Sequence, residues 1–137
     1  MREPYLLHEL ILVGAERAPH APALVHGNAT FTYEQLASDV LAAASGFVSL
    51  DVPRAGRIAT FLEKRPEMVS CCFAAAAMGG VFVPINPLLK PEQVAFVMSD
   101  CDVQVLVTSP ERWRVLAPAM VACPALCHVV PWSLLNS

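Results

Sequence analysis

The sequence predicts an α/β fold: a mostly parallel sheet flanked by helices, with a small β-hairpin near the N-terminus. Three observations predict it. After Arg57, short apolar runs alternate with helical stretches in the order β-α-β-α-β-α-β. Strands joined by right-handed helical crossovers give that order. The apolar runs are nearly continuous, as suits strands covered on both faces. Before Arg57, two short strand-like runs flank His26-Gly27-Asn28, a compact turn signal.

Along the chain, Leu6 to Ala18 reads as a helix, with Leu7, Leu10, Ile11 and Gly14 at helical spacing and Pro19 and Pro22 beyond it. Ala23-Leu24-Val25 and Ala29-Thr30-Phe31 form the hairpin strands. Thr32 is placed to cap the next helix, because its hydroxyl accepts from a free first-turn amide and Gln35 completes a capping box. That helix runs from Tyr33 to about Val48, with Leu36, Val40, Ala43, Ala44 and Phe47 on one face.

Arg57 to Leu62 is a strand. Pro66 suits the first position of the following helix, where its missing N–H costs nothing, and Glu67 suits the helix dipole. This helix, to about Met78, is apolar all round and predicts contact on more than one side. Val81 to Ile85 is a strand. Pro91 and Glu92 open a helix with Val94, Val97, Met98 and Cys101 on one face. Val103 to Val107 is a strand, Ser109 caps a helix to about Met120, and Leu126 to Val130 is the last strand.

Composition sets limits. The 137 residues suit one domain, and residues 1–137 are expected to form a single, partial one. Hydrophobic residues make up 55 % and charged residues 15 %, too apolar for a disordered chain. A net charge of −3 leaves no basic footprint for nucleic acid. Met1-Arg2-Glu3-Pro4-Tyr5 places an acid and a proline where a secretory signal needs apolar residues. The uncharged run Met68 to Leu89 is long enough to span a bilayer, but Gly79-Gly80, Pro84 and Pro87 divide it into a helix and a strand, so no membrane span is expected. Cys71, Cys72, Cys101, Cys123 and Cys127 are odd in number, with two adjacent on one helix. They do not make a disulfide framework, and a reducing cytoplasm is expected.

Four segments narrow the fold. Phe31-Thr32-Tyr33-Glu34-Gln35-Leu36 resembles the Thr/Ser-Tyr-x-x-Leu motif of adenylate-forming enzymes. Ala76 to Pro87, carrying Gly79-Gly80 and Pro84-Ile85-Asn86-Pro87, resembles their Gly-Ala/Gly-x-x-x-Pro-Ile/Leu-Asn/Asp-Pro run. Arg65-Pro66-Glu67 stands where these enzymes commonly have Asn-x-Pro-Glu, with Lys64 or Arg65 replacing the usual Asn. Asp100 to Thr108 resembles their Asp-Ser/Cys-x-x-x-x-Leu-Ile/Val-Thr strand. Each is weak alone, but their order and spacing from about Leu7 to Val130 resemble the N-terminal subdomain of an AMP-forming acyl-CoA synthetase.

The resemblance implies that the complete enzyme uses ATP, Mg²⁺ and coenzyme A to turn a carboxylate into an acyl-adenylate and then a thioester. It also implies parts that this sequence lacks: a Ser/Thr/Gly-rich phosphate loop ending in Pro-Lys-Gly, a Thr-Gly-Asp ribose site and a C-terminal lysine. The lysines present, Lys64 and Lys90, lie in no Gly-rich segment. The chain is therefore expected to hold no cofactor and do no ligase chemistry alone, with no catalytic, cofactor-binding or metal-binding residue assigned. The expected partner is the remainder of a synthetase, or a second copy, met through exposed apolar surface.

Other polar residues carry less. Arg65 and Lys90 sit at helix starts after strands, the side where open α/β sheets bind ligands, and read as solvated charges ahead of phosphate contacts. Cys123, Cys127 and His128 lack the second ligand pair that zinc needs, and read as small buried residues beside a strand. His8, His20 and His26 have no Ser or Asp arrangement of a triad around them. The Gly at 79 reads as a left-handed helix terminator, Gly80 as a point of close helix–strand approach, and Pro84, at a strand end, as a residue near an edge or a bend.

Overall fold

The computed structural model describes residues 3–135. Helix α1 spans Glu9–Arg17, and Leu6 to His8 form turns in place of its predicted first residues. Its Gly14 meets the Tyr33 ring, which a Cβ would approach to 2.6 Å. Strands β1 (Pro22–His26) and β2 (Ala29–Thr32) pair antiparallel, and Gly27 makes their turn at φ 59°.

Helix α2 (Tyr33–Ser49) starts with the predicted capping box. The Gln35 N–H donates to the Thr32 hydroxyl at 3.2 Å, and the Thr32 N–H donates to the Gln35 side-chain carbonyl at 2.8 Å. Then come β3 (Arg57–Phe61), α3 (Pro66–Ala77), β4 (Val81–Ile85), α4 (Pro91–Asp100), β5 (Val103–Thr108), α5 (Pro110–Leu116) and β6 (His128–Pro131).

Strands β3 to β6 form one parallel sheet in the order β4-β3-β5-β6. The prolines sit where an open sheet tolerates them. Pro84 lies in the outer strand β4, where its missing N–H breaks no ladder on the far side. Gly79 ends α3 at φ 78°, a left-handed state cheap only for glycine. A Cβ on Gly80 would lie 3.0 Å from the Gly56 carbonyl just before β3 and 3.3 Å from the Ala75 carbonyl of α3, so the helix end and the strand start approach closely there.

Alternate strand residues face opposite sides. Ile58, Leu62, Val105 and Val107 pack under α2 and α3 with Val40, Phe47 and Cys71. Ala59, Phe61 and Leu106 pack under α4 and α5 with Val94, Met98 and Leu116. Helix α3 touches both α2 and the sheet, so its all-round apolar sequence has partners on two sides.

Toward the C-terminus further predicted boundaries move. The helix predicted to reach Met120 stops at Leu116 and continues as a 3-10 turn over Ala117–Ala122. Pro118 has no N–H to give the carbonyl four residues back, so the α-helix cannot pass it. The last strand starts at His128 rather than Leu126, because the Leu126 N–H turns back to the Cys123 carbonyl at 3.2 Å. No helix of the described residues is long and apolar enough to cross a membrane.

Candidate functional site

The carboxyl ends of β3, β5 and β6 bring together Glu63, Arg65, Glu67, Arg112 and Trp132. Open α/β sheets bind ligands at this end. Arg65 precedes α3, and its guanidinium lies between two carboxylates. Its Nε donates to Glu67 Oε2 at 2.8 Å and its Nη1 to Glu63 Oε1 at 2.9 Å. Its Cζ sits 3.4 Å above the Trp132 ring centroid, a stacked cation–π contact.

Arg112, in the first turn of α5, donates from Nη1 to the Pro87 carbonyl at 3.2 Å and from Nη2 to Glu63 at 3.5 Å. It stands 5.1 Å above the Phe61 ring. The Thr108 hydroxyl donates to the Phe61 carbonyl at 2.7 Å and ties the ends of β3 and β5 together.

The electrostatics follow from these contacts. Glu63 is held below its usual value first by its own backbone N–H, against the opposing effect of burial, with smaller help from Arg65 and Arg112. Burial pulls Arg65 down, but its bonds to Glu67 and Glu63 outweigh that and leave it raised. Asp39 on α2 is raised, first by burial and then by the nearby Glu67 charge. Glu67 itself is only 8 % exposed, so it is the acid most removed from water.

Both arginines already use donors on neighbouring carboxylates and a carbonyl, and among the described residues no three His, Cys, Asp or Glu side chains come together as a metal site. Lys90, at the start of α4, is exposed. Cys123 is buried, with its thiol pushed up by burial, whereas Cys127 is exposed, against the expectation of two buried cysteines. Cys71 is buried and Cys72 half-buried on α3, and burial raises both thiols.

Arg65 is thus a partnered residue rather than the solvated charge read from the sequence. Sequence reasoning missed Glu63, Arg112 and Trp132. Arg112 follows a strand and a capping Ser109 and occupies a helix start like Arg65, which was a usable signal. Trp132 carried none, since its contact with Arg65 joins distant parts of the chain.

A model of the AMP-binding enzyme family matches residues 13–133. The chain is 35 % identical over 81 residues to a crotonobetaine/carnitine–CoA ligase of Salmonella paratyphi B, covering 59 % of this chain and 16 % of that protein. It is 31 % identical over 103 residues to a feruloyl-CoA synthase of an Amycolatopsis species, covering 75 % of this chain and 21 % of that protein. The matched stretch is thus about a fifth or less of these relatives' length.

Among solved structures, an anthranilate CoA ligase in complex with anthranoyl-AMP superposes with a TM-score of 0.88 at 20 % identity, covering 100 % of this chain and 27 % of that one. A Mycobacterium tuberculosis fatty acyl CoA synthetase superposes with a TM-score of 0.81 at 21 % identity, covering 92 % of this chain and 26 % of that one. At such identity the likeness is one of fold.

Proposed function

The chain belongs to the AMP-binding enzyme family, and from that premise we propose that it is the N-terminal scaffold of an ATP-dependent acyl-CoA synthetase, without ligase activity alone. In the complete enzyme a carboxylate attacks ATP, giving an acyl-adenylate and pyrophosphate. The thiol of coenzyme A then displaces AMP and leaves a thioester. Residues 1–137 act as one partial domain, with both core clusters built on the same sheet. Its contribution is a wall whose strand ends are fixed by the chain's own contacts.

One observation carries this reading. Arg65 and Arg112 at the carboxyl end of the sheet are engaged by Glu63, Glu67, Pro87 and Trp132, which supports a braced surface there, while Lys64 and Lys90 stay exposed. Five free cysteines suit a reducing, cytoplasmic compartment. The test is an assay of acyl-CoA formation with the purified chain, ATP, Mg²⁺, coenzyme A and a panel of carboxylates. No product is expected. Product that tracks the pure chain through successive columns overturns the reading.

A second reading, a non-catalytic interaction or complementation module, is favoured by exposed apolar side chains. Leu88 is 87 % and Val121 90 % exposed, with Phe96 and Val115 also open on α4 and α5. Sedimentation of the chain with and without the remaining part of a synthetase tests it. A clean monomer that binds nothing removes this reading.

A further inference from the structure

We propose that the contacts running from Trp132 through Arg65, Glu63 and Arg112 to Pro87 are a coupling device, by which the seating of Trp132 sets the placement of the loop between β4 and α4. The coupling is a property of this chain's own residues and does not depend on the proposed activity.

The run crosses the whole carboxyl end of the sheet. Trp132 follows β6, Glu63 and Arg65 follow β3, Arg112 follows β5 and Pro87 follows β4, so each of the four strand ends supplies a member. Its links are the stack of Arg65 on Trp132, the Arg65 Nη1 bond to Glu63 Oε1 at 2.9 Å, the Arg112 Nη2 bond to Glu63 Oε2 at 3.5 Å and the Arg112 Nη1 bond to the Pro87 carbonyl at 3.2 Å. Coupling between distant sites needs such a contiguous run together with an element that has two arrangements.

Glu63 is that element. Each of its oxygens serves a different arginine, one closely and the other at the limit of a hydrogen bond. The buried Glu67 holds Arg65 by its Nε at 2.8 Å. A guanidinium fixed there turns about that bond, and turning carries Nη1 toward or away from Glu63. A carboxylate that loses Nη1 is drawn to Arg112, its other cation, and Arg112 then moves against Pro87. Both arginine side chains are partly withdrawn from water, where such pulls are screened less.

The receiving end moves as a unit. The Leu88 N–H donates to Asn86 Oδ1 at 2.9 Å, the Leu89 N–H to the Asn86 carbonyl at 3.1 Å and the Lys90 N–H to Gln93 Oε1 at 2.9 Å. Pro87 and Pro91 fix their own φ angles. A loop stiff within itself passes a pull on the Pro87 carbonyl to its exposed tip, Leu88, and to Lys90, at the end where open α/β sheets bind ligands.

The test is two-dimensional amide NMR of the 137-residue chain. In Trp132→Ala the Leu88 and Lys90 signals are expected to shift, although the substitution lies at the other edge of the sheet. Trp132→Phe keeps a ring face for the guanidinium and should return them close to their original positions. On a Glu63→Gln background, Trp132→Ala should leave both signals where Glu63→Gln alone puts them. If Trp132→Ala fails to fold, Arg65→Gln takes its place, with the same shift expected beside Glu63 and none beside Gln. Signals that stay in place when Trp132 or Arg65 is replaced overturn the coupling. So do shifts of equal size with and without the Glu63 carboxylate, because the pull would then travel by another route.

Discussion

At the carboxyl end of the sheet, Arg65 and Arg112 find carboxylates, a carbonyl and aromatic rings within the chain itself. Along β6, Val129, Val130 and Pro131 line grooves that no described residue fills. The difference teaches where this chain depends on others. A charge taken partly from water must be paired locally or it costs several kcal/mol, so the polar end closes on itself. Apolar surface left bare costs a graded amount, set by its area, and can wait for a partner. The polar end therefore reads as bracing, and the apolar edge as the place of association.

The largest expected effect breaks the edge rather than the end. Phe47 is buried at 1 % exposure and also floors the groove beside Val130. Phe47→Ala should cost about 3–5 kcal/mol in urea unfolding, as core truncations of this size do. A loss below about 1 kcal/mol would mean that the groove has collapsed and that α2 is not held as described.

A smaller effect sharpens the polar side. Glu67→Ala strips the buried partner from Arg65 and should cost about 3 kcal/mol. Glu63→Ala removes an exposed partner of the same guanidinium and should cost under about 1 kcal/mol. Equal losses in thermal or urea unfolding would show that burial does not rank the two carboxylates.

The smallest effect is one of pH. Asp39 is raised by burial and by Glu67, so its protonated form favours the fold, and that contribution is lost as pH rises through its folded value. Asp39→Asn should raise the unfolding midpoint slightly at neutral pH. The gap should close below the ordinary aspartate value of about 3.9. A gap that persists in acid would assign the gain to something other than charge.

Much of this molecule is written locally. Thr32 with Gln35, Pro66 at a helix start and Gly79 at a helix end each act within a few residues, so spacing alone places them. The alternation of helices and strands gives the parallel sheet for the same reason. What spacing does not encode is contact across the sheet. The Arg65–Trp132 stack and the Arg112–Glu63 pair depend on which strand ends become neighbours, and the order β4-β3-β5-β6 is a tertiary outcome. The helix predicted through Pro118 failed on a local rule that apolar periodicity hid.

The most direct test of the central claim is calorimetric titration of the purified chain with MgATP. A carboxyl end braced by its own ion pairs predicts no saturable heat. A one-site isotherm that disappears in Arg65→Ala, with the fold intact, would contradict the account and make this end a nucleotide site.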